Sequence, residues 1–543
     1  MAFKRLSCIA LSAMLLLSMS GCRTKNSDSS TRTTYSATTT TSESEESSTE
    51  PSETEPTTSE STSESTTEET TSATTTTETT ESTTPASIPS DASLEEKLRQ
   101  LDRVKSVKEV TTPDGMKIQY KAKYSVVFDM PLDWKNPDAG SFPLRTTFIY
   151  VDDKASNTFL CNGYNLYDME IDLPYDNRCE LAFDYNTNQV LAEHRFFGQS
   201  VPDGLSIDSL KYWDYLTAEN AAEDFHFIIS QYKSIFSGKW AFTGASKGGQ
   251  LTHVQSYLHP EDADVYVSFV APGGSAQDAP GFFDFIYNEI GDDDYGKDRA
   301  KKYRDMVLQL QVEAIKHRDV LAPKYYQQGL SDGCIFSDYV TADILFDMAV
   351  LEFATITWQY YPDFSAIEGT LGAKDGPESE YLDLIYQLIY NANHPDVWAH
   401  NSEYFAYYVQ AAKQNGEHEY DFSFLREALE KDGSGAKLVI TEDMEQGLLY
   451  RMVFTPEQLE AFTFDDTLYN NMVKWSHETK NTVIMVYGGR DVWYSMRLPD
   501  VTDNENIHIF TIPSSSHIAS SVFLSPEMLK EYNDILTPIL KWE

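Results

Sequence analysis

The chain has 543 residues, 41% of them hydrophobic and 13% aromatic, enough to bury one large core or two ordinary ones, so it is not a disordered protein overall. Its formal net charge of -43 repels phosphate backbones and anionic lipid headgroups, which excludes nucleic-acid binding through basic patches and favours cationic ligands. The same charge keeps a molecule soluble, which is its plainer reading.

In chain order, "MAFKRLSCIALSAMLLLSMSGC" carries two basic residues, an apolar stretch too short for a mature membrane span, small residues and Cys22. That pattern predicts a signal peptide over residues 1–21. Met19-Ser20-Gly21 followed by Cys22 resembles the bacterial lipobox, in which the thiol is lipidated and tethers the protein to the outer face of the cell membrane. Plain secretion is the alternative. Residues 22–89 are mostly Ser, Thr and Glu and have almost nothing apolar to set against the entropy of ordering, so a disordered, extended tether is expected there.

Three cysteines remain beyond Cys8 and Cys22. Cys161 and Cys179 flank a short loop and are candidates for a disulfide in an oxidising compartment, leaving Cys334 free. Neither a C-x-x-C pair nor a histidine cluster has metal-ligand spacing, so no metal and no other cofactor is expected.

From residue 90 the pattern changes to short β-branched and aromatic runs alternating with helical periodicity, which predicts an α/β fold with a mostly parallel central sheet. Strands are expected in "KIQYKAKYSVVFDMPLDW", read as part of an edge hairpin, and in "PLRTTFIYVDD", "NTFLCNGYN", "QVLAEHRFF", "WAFTGAS", "VYVSFVAPG", "NTVIMVYGG" and "NIHIFTIP". "LTAENAAEDFHFIISQYKSIF" supplies the amphipathic helix that a parallel crossover needs. Residues 275–469 are helical with little strand character, and "TADILFDMAVLEFATITWQYY" is apolar nearly all round, as a helix buried among others must be. The expected domains are therefore a core over 90–274, a large helical cap insertion over 275–469, and the rest of the core over 470–543.

"WAFTGASKGGQ" places Ser246 between an apolar strand and a helix start, with Gly244 and Gly248 two residues to either side. The G-x-S-x-G pattern arises by chance often enough that its weight comes from this strand-turn-helix setting, which is that of the nucleophile elbow of the α/β-hydrolase fold. The setting makes Ser246 the candidate nucleophile and the Lys247 backbone N–H one oxyanion donor. A serine needs a base, and the base a carboxylate, each expected on a loop after a later strand. "VIMVYGGRDVW" offers Asp491 and "IHIFTIPSSSHIAS" offers His517. His508 lies within a strand and His194 reads as a core residue, while the rival acids Asp500 and Asp503 fall in a polar loop without a strand before it. The second oxyanion donor is expected from the loop "CNGYNLYD", at the Tyr164 or Asn165 amide, since Gly163 permits close backbone approach.

"AEHRFFGQSVPD", "WAFTGASKGGQ", "HPEDADVYVSFVAP" and "YGGRDVW" together resemble the secreted bacterial prolyl tripeptidyl aminopeptidases, the family-37 serine peptidases, over most of the chain from Tyr120. The resemblance implies an exopeptidase that releases short peptides from a free amino terminus, commonly after proline, with Ser246, Asp491 and His517 as its triad. Two departures stand out: Asp491 is followed by Val492 where that family usually has proline, and His517 by Ile518 where it usually has glycine. Glu193 is a candidate for binding a substrate ammonium, or alternatively the partner of Arg195 in a buried ion pair. Trp493 and Tyr494 are candidates for lining a proline pocket, or alternatively for packing between core and insertion. An ester hydrolase of the same fold and a catalytically silent surface-binding module remain the competing readings.

Overall fold

A computed structural model of the protein describes residues 92–113, 115–360 and 364–542. The expected signal segment, Cys22 and the tether to residue 89 lie outside them.

Nine strands form one sheet: β1 Val104–Glu109, β2 Ala122–Pro131, β3 Ser141–Tyr150, β4 Asn157–Cys161, β5 Asn188–Ala192, β6 Trp240–Ala245, β7 Val265–Phe269, β8 Val483–Gly488 and β9 Ile507–Ile512. Their spatial order is β1-β2-β3-β5-β4-β6-β7-β8-β9. The pairs β1/β2, β2/β3 and β3/β5 are antiparallel, and every pair from β5/β4 to β8/β9 is parallel. This is the mostly parallel α/β-hydrolase sheet. β2 and β3 do form a hairpin, with Ala122 opposite Tyr150 and Pro131 opposite Ser141, but β2 is not the edge. β1, "VKSVKE", covers it, and four of its six residues are exposed, so this edge strand keeps its charges in water.

The longer helices are α1 Ala218–Lys233, α2 Lys247–Leu258, α3 Lys297–Lys316, α4 Arg318–Ser331, α5 Ala342–Gln359, α6 Glu378–Ala392, α7 Thr467–Glu478 and α8 Pro526–Leu540. Successive strand residues alternate between the two faces. Phe242, Tyr266 and Met485 join α1 and α2 in one core, whereas Ala241, Val267 and Ile484 join Tyr532, Leu536 and Leu540 of α8 in the other.

Between β7 and β8 the chain leaves the sheet and forms the helical insertion that contains α3 to α6. α5 is its centre: Leu345, Phe346, Met348, Ala349, Val350, Leu351 and Ala354 are all fully buried, as its all-round apolar sequence requires. α4 is not legible from local pattern, because Pro323 and Gly329 interrupt its periodicity.

Candidate active site

Ser246 sits between β6 and α2 at φ 56°, ψ -125°, a conformation few non-glycine residues adopt. The turn tolerates no bulk: a Cβ on Gly248 would lie 2.4 Å from the Cys161 carbonyl oxygen. The strained corner lifts the Ser246 side chain off the carboxyl ends of the parallel strands.

Asp491 follows the end of β8 and His517 the end of β9, as Ser246 follows β6. His517 Nε2 lies 2.9 Å from Ser246 Oγ, and His517 Nδ1 lies 2.8 Å from Asp491 Oδ2. Asp491 and His517 are each 1% exposed. Asp491 also caps the short helix Val492–Met496 by accepting the Trp493 N–H at 3.0 Å, which fixes its carboxylate. The His517 loop is pinned by the end of α5: His517 N–H donates to the Gln359 carbonyl at 2.9 Å, and Ser516 Oγ donates to the Tyr360 carbonyl at 2.6 Å. Such an arrangement can draw a proton from the serine and hold the resulting imidazolium beside a carboxylate.

On the other side of the elbow, Gly163 adopts φ 81° and presses so close that a Cβ there would lie 2.7 Å from the Gly248 nitrogen. The buried Lys247 side chain donates from Nζ to the Gly163 carbonyl at 2.5 Å, and burial pulls its amine down to about 7. Because the peptide unit is planar, gripping that carbonyl turns the Tyr164 N–H to the opposite side. Tyr164 lines both cavities beside Ser246, and burial raises its phenol well above the ordinary value. Its ring stacks edge-on against Phe197 and lies 6.0 Å from Tyr407. A phenol beside the serine was not read from the sequence, where only the backbone amides of Tyr164 and Asn165 were candidates.

Two cavities meet at Ser246, sharing Tyr164, Glu403 and Tyr404. One runs beneath the helical insertion, lined by Tyr360, Tyr407, Tyr408, Glu352, Glu417 and Trp493 among others. The other runs past His517 and Ile518 along the loops after β4 and β9 and includes Asn165, Cys161 and Cys179. Sequence spacing gave no sign of Glu352 and Glu417, which come from distant parts of the insertion.

Three expectations are corrected. Glu193 does not face substrate: it is fully buried and accepts from Arg145 Nη2 at 2.6 Å, Ser200 Oγ at 2.6 Å and the Leu166 N–H at 2.7 Å, so its carboxylate is already satisfied. Nor does it pair with Arg195, whose guanidinium grips Asp224 with two bonds of 2.7 Å. Tyr494 lines neither cavity; it packs against Phe285, Tyr487 and Arg497, joining core to insertion, whereas Trp493 does line the cavity under the insertion. Cys161 and Cys179 are not bridged to each other, because Cys161 packs into the core on one face of the sheet and Cys179 against the core on the other. His194 is buried with Nδ1 2.8 Å from the Arg195 carbonyl, Asp500 pairs with Arg497, and Asp503 pairs with His477.

The tertiary structure also gathers His226, His259 and Asp262, with ligand-capable atoms within 4.8 Å of one another, which the sequence spacing hid. That cluster lines neither cavity.

Comparison with known proteins places this geometry in context. A prolyl tri/tetrapeptidyl aminopeptidase from Streptomyces mobaraensis is 24% identical over 441 residues, covering 79% of this chain and 83% of that protein. Among solved structures, the peroxisomal α/β-hydrolase Lpx1 of Saccharomyces cerevisiae aligns with 10% identity and a TM-score of 0.30, over 80% of this chain and 91% of that one. Proline iminopeptidase of Mycobacterium smegmatis aligns with 10% identity and a TM-score of 0.28, over 80% and 97%. The model of the PS-10 peptidase S37 family matches residues 100–542, nearly the whole described part of the chain. The chain belongs to that family and is a serine peptidase.

Proposed function

We propose that the protein is an extracellular aminopeptidase that removes short peptides, three residues at a time and after proline, from the free amino termini of oligopeptides. The observation that carries this reading is the hydrogen-bonded series Ser246, His517 and Asp491 at the junction of a cavity roofed by the helical insertion. His517 takes the proton from Ser246 Oγ as the oxygen attacks the peptide carbonyl, and Asp491 steadies the imidazolium. The oxyanion is held by the Lys247 N–H, at the start of α2 where backbone donors have no helical partner, together with the Tyr164 phenol and a nearby loop amide. His517 then passes its proton to the departing amine, and water releases the acyl group from Ser246.

Support for an exopeptidase comes from the roof over the serine, which leaves little room for a folded chain, and from the activity named for the Streptomyces mobaraensis relative. The lipobox-like Met19-Ser20-Gly21-Cys22 supports an anchor at the outer face of a bacterial membrane, with residues 22–89 as the tether.

Mass spectrometry of products from a mixed peptide library tests the reading. Staggered losses of three residues from amino termini are expected, ending after proline, and Ser246→Ala is expected to lower kcat on the order of 10⁵- to 10⁶-fold. Internal cuts, or a Ser246→Ala protein as active as its parent, would overturn it.

A further inference from the structure

The cavity under the insertion holds a group of side chains that the serine chemistry does not use. Glu352, in α5, is 7% exposed, and its Oε1 has no hydrogen-bond partner. Glu417 is 4% exposed; its Oε2 accepts the Tyr407 hydroxyl at 2.5 Å and its Oε1 the His418 N–H at 3.2 Å. His418 Nε2 lies 3.6 Å from Glu352 Oε1 and 3.6 Å from Glu417 Oε1.

The protonation of His418 follows from its other nitrogen. Nδ1 lies 2.9 Å from the Glu419 carbonyl, and a carbonyl can only accept, so Nδ1 carries the proton. Burial holds the imidazole down to about 4, so the ring is neutral near pH 7 and Nε2 presents a lone pair. Three acceptors therefore face one spot, and among the described residues neither glutamate has a lysine or arginine partner. Burial, and then the charge of Glu417, lift Glu352 to about 8; burial lifts Glu417 to about 7. Because two buried carboxylates without a cation are costly, near pH 7 the free enzyme holds Glu352 largely, and Glu417 about half, as the neutral acid; an ammonium group, with three N–H donors, draws both into the charged form and satisfies all three acceptors.

We infer that Glu352, Glu417 and His418 form the subsite that binds the α-ammonium group of the peptide substrate, so that the free amino terminus lies under the insertion while the bond to be cut lies at Ser246. This rests on the aminopeptidase reading and identifies the groups that enforce it. The subsite is rigid: the His418 ring is stacked on Phe282 at 4.0 Å. It also carries a length. Trp493 lies 5.5 Å from the His418 ring and 6.3 Å from the His517 ring, centroid to centroid. The two histidines are thus no farther apart than roughly 12 Å, the reach of about three extended residues at ~3.4 Å each. A released piece held straight between them is limited to about that length. The second cavity, past His517 and Ile518, is then left for the part of the peptide beyond the cut.

The test compares kcat/KM for Ala-Ala-Pro para-nitroanilide with that for its N-acetyl twin. The unmodified enzyme is expected to prefer the free amine on the order of 10²-fold or more. Glu352→Gln and Glu417→Gln are each expected to shrink that preference at least about tenfold, through loss on the free-amine substrate. Melting curves report folding; should a Gln variant melt early, Glu352→Asp, which withdraws the carboxylate by one methylene, is expected to give an intermediate preference. If the unmodified enzyme prefers the free amine while the folded variants keep the full preference, the subsite is wrong and the aminopeptidase reading stands. If the unmodified enzyme cleaves the acetylated twin equally well, both fall.

Discussion

Ser246 holds φ 56° against the preference of any residue with a Cβ, a strain of about 1–3 kcal/mol that the packing of β6 against α2 sustains. Its use is to expose one oxygen to His517 and, in the proposed mechanism, to set the reacting centre beside the Tyr164 phenol. Tyr164→Phe removes that phenol and little else, since the ring stays wedged between Phe197 and Tyr407. Its expected effect is a fall in kcat of ~10²–10³-fold with KM changed far less, read from initial rates on a peptide substrate. At this scale the sequence was legible where chemistry follows a strand: Ser246, Asp491 and His517 each come just after one, so their meeting at one end of the sheet could be anticipated. It was not legible for Glu193, whose partner Arg145 stands 48 residues away and turns an apparent ligand group into a buried ion pair. Glu352 and Glu417 were hidden for a related reason, since they stand 65 positions apart in an insertion whose inward faces no spacing rule specifies.

Among elements, α5 links the insertion to the serine chemistry. It begins with the Thr341 side chain accepting the Ile344 N–H at 3.2 Å and ends with the Gln359 carbonyl accepting the His517 N–H. Thr341→Ala is expected to cost about 1 kcal/mol of stability, seen as a lower urea midpoint, with kcat little changed because the lost cap lies at the end of the helix away from His517. The strands and the amphipathic α1 were readable from apolar periodicity. β1 was not, because an edge strand with charges on both sides of its pleat lacks the contrast on which such readings depend. α4 was not either, because Pro323 removes one backbone donor that the surrounding helices make tolerable.

At the scale of the whole molecule, stability must respond to buried ionisable groups. His253, in α2, is 2% exposed with Nε2 2.8 Å from the Ser268 hydroxyl of β7, and burial pulls its imidazole down to about 3. That value lies below the usual ~6.5 of an unfolded chain, so between the two the folded protein binds fewer protons, and stability falls as pH falls. From pH 7 to pH 5 this one group is expected to remove roughly 2 kcal/mol. Urea titrations at both pH values should show His253→Gln losing less on acidification than its parent, whatever its stability at pH 7. The sequence by itself determined the fold class, the elbow, and the order in which serine, acid and histidine appear, because each depends on local strand and turn geometry that neighbouring residues dictate. Only the tertiary structure decided which carboxylates are already satisfied, that Cys161 and Cys179 are not bridged to each other, and that two glutamates and a histidine converge beneath the insertion. Those outcomes depend on which faces of distant segments meet, and a helix as uniformly apolar as α5 carries no local mark of its neighbours.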